Sequence, residues 1–258
     1  LVIEAGRTLW VGEDSALPDG LEHHENIDCS GKLVIPGLID LHSHVQTGSW
    51  GDINDMVYQL NSELRVSPAV IPNNAALEKP LAAGVTTILF IPGSGTNMGG
   101  TGVLMKLGVD GYEEALLRDP GSLKIAQGDN PTRWGYGMGR ILMNYGLRFR
   151  LRRGQAYAKA WDAYLEGEGA KPERELELDI FRFLYAGDTQ VSTHTQYYQL
   201  VLMTITMLAR DFGLPTYIDH GSFDSYLTTP LAKEFGVGAI LGGLSIMCRL
   251  RYVWLDKS

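Results

Sequence analysis

A chain of 258 residues, 45% hydrophobic and 20% charged, can fill one barrel of ordinary size, roughly 250 residues, or two small domains, and can bury a sizeable core. Its net charge of −8, with no dominant basic stripe, argues against nucleic acid as a partner. No apolar run approaches the roughly 18 to 20 residues needed to span a membrane, so no membrane partner is expected either.

Residues 1 to 30 read as short strands and turns: Val2-Ile3-Glu4, then Thr8 to Gly12, a Pro18-Asp19-Gly20 turn, and a resumption at Asn26-Ile27-Asp28. His23-His24 falls in a polar loop and reads as a solvated pair. The chain opens in a strand without an initiator methionine. A soluble protein of cytoplasm or periplasm is expected, with the choice left open. Cys29 and Cys248 are too far apart for a metal knuckle and say nothing firm about redox compartment.

Leu33-Val34-Ile35 reaches a Pro36-Gly37 turn, and Leu38-Ile39-Asp40-Leu41 follows as a buried strand ending in His42-Ser43-His44. Alternation sends residues i and i+2 to one face, so His42 and His44 project together from the strand end. Two imidazoles placed so can bind a metal if other ligands arrive from elsewhere in the fold.

Val45 to Asn74 lacks periodicity, and Trp50-Gly51-Asp52 with Asn54-Asp55 suggests an active-site loop. Asn74 to Ala83 is expected to be a helix, and Thr86 to Ile91 an apolar strand ended by Pro92. Gly93 to Gly102 reads as a tight loop over the barrel mouth. It lacks the Gly-Lys-Ser/Thr ending of a phosphate-binding P-loop. Val103 to Leu107 is strand-like, Tyr112 to Leu117 a short helix, and Ser122 to Ala126 a strand leading to Gly128-Asp129-Asn130-Pro131. Arg140 to Arg152, Gln155 to Leu165 and Arg174 to Leu184 carry spaced apolar residues and suggest an inserted helical hairpin. The basic cluster Arg148 to Arg153 reads as the solvated face and end of a helix.

Gln190 to His194 is a strand, Tyr198 to Phe212 a helix with Gly213 in the C-cap position, and Pro215 to Gly221 a strand ending at His220. Pro230 to Phe235 makes a short helix before a last strand, Gly238 to Gly242. Strand–helix alternation implies a parallel α/β architecture. Of six histidines, His42, His44, His194 and His220 sit at predicted strand ends, the rim where barrel chemistry is found. Metal ligation by these four is expected. Asn130, Arg133, Gln196 and Tyr198, from loops and strand ends, are candidates for contacts with a small-molecule substrate.

The run from Lys32 to Gln46, KLVIPGLIDLHSHVQ, resembles the amidohydrolase superfamily, metal-dependent hydrolases on a (β/α)8 TIM-type barrel whose first strand ends in H-x-H after a P-G-x-[IV]-D segment. Gly31-Lys32 resembles the family's entry to that strand, Ala83 to Thr87 its third strand, and His194 and His220 its single histidines on strands five and six. The similarity covers roughly residues 1 to 243. Pro92-Gly-Ser-Gly, Gly99 to Gly102 and Gly128 to Pro131 resemble an imidazolonepropionase-like branch.

The resemblance implies a partial β-sandwich at 1–32 and a barrel domain at 33–258, truncated at both ends and lacking its last strands. It implies hydrolysis of a C–N bond in a cyclic amide or related amide or amidine, with one or two divalent metals, zinc being expected from imidazole ligands. A carbamylated lysine on strand four bridges two metals in many members. Lys124 is the candidate here and Lys106 the rival. The usual strand-eight Asp general base has no counterpart, Asp256 being too close to the terminus, so a non-catalytic scaffold and an X-Pro dipeptidase-like member stand as alternatives. An open barrel edge implies a homo-oligomer or a partner chain covering it.

Overall fold

The structure is a computed structural model that describes residues 1–21, 25–45, 53–134 and 139–241. The chain divides into two compact units, Leu1–Pro36 and Gly37–Ser258. In the first, β1 (Val2–Glu4) and β2 (Arg7–Trp10) form an antiparallel hairpin across Ala5-Gly6. Both turn residues have positive φ, 49° and 75°, which matches the right-handed twist of the strands. Asn26-Ile27-Asp28 does not resume a strand, and the Ile27 side chain is exposed.

The second unit is built on seven strands that lie in the sheet in chain order: β3 (Leu38–Ser43), β4 (Val85–Phe90), β5 (Met98–Lys106), β6 (Leu116–Ala126), β7 (Val191–Thr195), β8 (Thr216–His220) and β9 (Gly238–Leu241). The sheet curls nearly closed, an incomplete α/β barrel. Helices α1 (Glu78–Ala82), α2 (Tyr112–Ala115), α3 (Asp129–Trp134), α4 (Arg140–Leu165), α5 (Leu176–Ala186), α6 (Tyr198–Thr204) and α7 (Thr229–Glu234) connect the strands, and α6 runs on as a π-helical turn, Ile205–Asp211.

Several expectations change. The sheet is mixed, because β5 runs antiparallel to both β4 and β6. Met98 to Gly102, read as loop, is the first half of β5. Glycine is depleted in strands, yet here it makes room. A Cβ on Gly100, whose φ is +103°, would lie 2.7 Å from the Leu64 carbonyl oxygen, where the chain crosses to donate and accept at Thr101. The Val85 to Thr87 segment is the second strand of the sheet, not the third, since β4 pairs directly with β3. The last expected strand forms as β9, which pairs parallel with β8. Asp256 and Cys248, like His23-His24 and Trp50 to Asp52, lie outside the described residues.

The strand before the histidine pair is less buried than its apolar run suggests. Leu33, Val34 and Ile35 are exposed and form no strand, and Leu38 and Ile39 of β3 remain half open. The reason is topological: among the described residues β3 stands first in the sheet and pairs with β4 alone.

The core lies between the sheet and the α4–α5 hairpin. Leu123, Ile125, Met98 and Val191 meet Leu147, Leu151 and Trp161 of α4 and Leu178, Phe181 and Leu184 of α5. A Cβ on Gly154 would lie 2.2 Å from the Phe181 ring, so glycine sets how closely the two helices approach. The basic cluster lies inside α4, not at a helix end, and Arg148, Arg150 and Arg153 of it are ion-paired. Arg150 is buried, with Nη1 donating to Ser62 Oγ at 2.8 Å and Nη2 at 3.0 Å from Glu177, while Arg153 pairs with Glu175 and Glu177. Among the described residues no helix is long and apolar enough to cross a membrane.

Candidate active site

Parallel strands deliver their C-terminal ends to one rim, and that rim gathers the predicted residues. β3 brings His42, with His44 one residue beyond it; β6 brings Lys124, β7 His194 and β8 His220. In sheet order these are the first, fourth, fifth and sixth strands, so both single histidines stand on the fifth and sixth strands. The imidazoles pack edge to face, with ring centroids 4.8 Å apart for His42 and His44, 4.7 Å for His42 and His220, and 4.6 Å for His194 and His220. His220 has a φ of +77°, an unusual backbone conformation for a residue with a Cβ and one that clusters at functional positions.

His44 Nδ1 lies 2.9 Å from the Ile91 carbonyl oxygen. A carbonyl only accepts, so Nδ1 carries the proton and Nε2 keeps its lone pair. Burial first, and then the charge of Lys124, push His44 down to about 3. The same two causes hold His194 well below its ordinary value, and burial takes His220 down to about 4. Near neutral pH these three rings are neutral and able to donate a lone pair.

Lys124 is wholly buried, and its Nζ donates to Asp219 Oδ2 at 2.7 Å. The same oxygen lies 3.1 Å from His42 Nδ1. Burial alone would raise the Asp219 carboxyl, but the Lys124 charge and the His42 contact outweigh it and keep the group ionised. Burial lowers Lys124, opposed by Asp219. Asp219 is a site residue that pattern reading passed over. Its signal was a carboxylate inside an otherwise apolar strand beside a histidine, since a buried charge requires a partner. The rival, Lys106, is exposed at the far end of β5, opposite Thr87. Antiparallel direction carries it to the rim away from the histidines.

Among the described residues, no group of three or more His, Cys, Asp or Glu side chains is arranged as it stands to hold a metal ion. The chemistry of the donor set nonetheless fits a divalent metal: neutral imidazoles, and a buried Asp219 Oδ1 without a hydrogen-bond partner.

No protein-family model matches the chain. Imidazolonepropionases are similar over short stretches. The Paracoccus denitrificans enzyme is 48% identical over 48 residues, 19% of this chain and 12% of that protein. The Cupriavidus metallidurans enzyme is 42% identical over 48 residues with the same shares, and the Colwellia psychrerythraea enzyme 44% over 52 residues, again 19% and 12%. A solved amidohydrolase from Thermotoga maritima MSB8 superposes on 93% of this chain with a TM-score of 0.80 and 26% identity, and 64% of that protein is covered. The chain is an imidazolonepropionase-like relative of the amidohydrolase superfamily.

In this amidohydrolase relative the expected substrate contacts follow the site strands. Asn130 is on α3 after β6, Gln196 follows β7 directly, and Tyr198 opens α6, its backbone N–H donating to Asp224 Oδ1 at 3.1 Å. All three are partly exposed, and the side chain of Arg133 lies outside the described residues. The structure brings the four histidines and Lys124 together and leaves these polar residues on the surrounding connections.

Proposed function

We propose that this chain is a metal-dependent hydrolase that cleaves a C–N bond in a cyclic amide or a related amide or amidine. One observation carries the reading: four imidazoles and a buried Lys124–Asp219 pair converge at the C-terminal ends of β3, β6, β7 and β8. His42, His44, His194 and His220 would hold one or two divalent ions, zinc being the expected occupant for imidazole ligands. Bound there, a divalent metal supplies Lewis acidity to water and to the scissile carbonyl.

The chain's own residues prepare that chemistry. Ile91 fixes the His44 tautomer so that Nε2 faces the task unprotonated. Burial holds His194 and His220 neutral at the pH of turnover. Asp219 sets a negative charge beside His42 Nδ1 and neutralises Lys124. Lys124 is the candidate for a bridging carbamate in a two-metal form. Asn130, Arg133, Gln196 and Tyr198 are proposed to contact the substrate from the connections after β6 and β7.

The test is metal analysis of protein purified under zinc-replete conditions, followed by assay of hydantoin-like and imidazolone-like rings beside X-Pro dipeptides. Less than about a tenth of an equivalent of metal would remove the site. A non-catalytic scaffold is the second reading, favoured by the ring-against-ring packing of the imidazoles and the ready-made counter-charge on Lys124. Full zinc occupancy without turnover of any ring or dipeptide would select it.

A further inference from the structure

The strand that carries His42 and His44 has a support that its own ladder does not provide. Among the described residues β3 pairs along one edge only, with β4, and its first residues, Leu38 and Ile39, are half open to solvent. Across the barrel, β8 grips the other end of β3. Tyr217 Oη donates to the Leu41 carbonyl oxygen at 3.0 Å, 176 residues away in sequence. One inward position further along β8, Asp219 Oδ2 lies 3.1 Å from His42 Nδ1. Tyr217 and Asp219 share a face of β8 by strand alternation, so two successive side chains of that face reach two successive residues of β3, the first through a hydrogen bond.

The surroundings suit a fixed tether rather than a chance contact. Apolar side chains usually fill the interior of such barrels. Here Ser122 and Ser192, both fully buried, lie one inward position before Lys124 and His194, with their hydroxyl oxygens 3.3 Å apart. Ser192 stands opposite Tyr217 in the β7–β8 register. Largely shielded beside that layer, the Tyr217 phenol is best served by an acceptor for its proton, and the Leu41 carbonyl provides one on β3.

We infer that Tyr217 is a positioning residue: its hydroxyl, bonded to Leu41, sets the backbone of the His42-Ser43-His44 segment and hence where the His42 ring stands. The functional consequence rests on the proposed metal site, whereas the positioning itself is readable without metal.

The experiment compares the full chain with Tyr217→Phe and with Thr216→Val. The second removes another buried hydrogen bond of β8, from Thr216 Oγ1 to the Leu214 carbonyl, that does not touch β3. The primary measurement is the His42 ring resonances of the metal-free protein by NMR. The expected result is displacement in Tyr217→Phe and none in Thr216→Val. Unmoved resonances in Tyr217→Phe, or equal displacement in both variants, overturn the inference.

Titration with zinc alone reads the consequence. Tyr217→Phe should weaken zinc binding about ten-fold, as loss of an outer-shell support does, while Thr216→Val leaves it unchanged. A wild-type chain that takes up no zinc would remove the metal reading, and the His42 resonances would still decide the positioning. Should Tyr217→Phe not fold, hydrogen exchange on the wild type serves instead. Protection must rise from Leu38 and Ile39 toward Leu41 and His42; uniformly fast exchange along β3 overturns the inference.

Discussion

Lys124 of β6 and Asp219 of β8 meet at 2.7 Å with both side chains shut off from solvent. Two charges taken out of water lose hydration that their mutual attraction only roughly repays, so such a pair adds little net stability. Removing one partner is different, because it strands the other. Lys124→Met is expected to destabilise the metal-free chain by about 3–5 kcal/mol, and Lys124→Met with Asp219→Leu to recover most of that loss. Urea denaturation of the single and double variants checks it. A double variant as unstable as the single would show that the pair is not the source.

His42 and His44 leave one strand two residues apart and should serve the same metal, with His194 and His220 facing them from β7 and β8. His42→Ala is expected to empty the site, read as zinc per chain by elemental analysis. Lys124→Ala should lower the metal count only if two ions share the site. Lys106→Ala, on an exposed side chain at the other rim, should leave metal content unchanged and stability within about 0.5 kcal/mol. Halved zinc in Lys106→Ala would overturn the assignment of the lysines.

The histidines give the metal-free chain a pH dependence of definite sign. In the folded state His44 lies at about 3 and His220 at about 4, each because of burial first. Unfolded, both titrate near about 6.5. Between these values the unfolded chain binds more protons, so stability is fully present above about pH 6.5 and falls as pH drops toward 4. Asp219, held below the ordinary carboxylate value, adds its loss only below about pH 4. Urea midpoints at pH 7 and pH 4.5 should differ by on the order of 1–3 kcal/mol, less in His44→Gln. Equal midpoints would contradict the buried, neutral state of these rings.

Gly154 stands inside α4, where alanine would ordinarily favour the helix by about 1 kcal/mol. The Phe181 ring reverses that preference, since the new methyl would sit 2.2 Å from it. Gly154→Ala is therefore expected to destabilise the chain by about 1–3 kcal/mol through forced separation of α4 and α5. Gly154→Ala with Phe181→Leu should be milder than the sum of its parts, measured by thermal denaturation. A stabilised Gly154→Ala would mean that the helices part freely.

Much of this protein is written locally, and that part was legible. The histidine pair follows from strand alternation around Leu38 to His44, and His194 and His220 from apolar runs that end in a polar residue. Such signals depend only on near neighbours. Strand direction does not. β5 alternates its side chains just as a parallel strand would, so its reversal, and with it the placing of Lys106 at the wrong rim, came only from the ladder with β4 and β6. Glycines at 99, 100 and 102 read as a loop because their reason, the close passage of the Leu64 segment, is a contact between distant residues. Asp219 and Tyr217 were hidden in the same way. A carboxylate and a phenol in a strand have no visible purpose until Lys124, His42 and Leu41 are brought to them, 95, 177 and 176 residues away. Sequence alone determined which strands end in histidine. Tertiary structure decided which buried charges and hydroxyls hold those ends in place, because the need to pair a desolvated group is met by whatever the fold sets beside it.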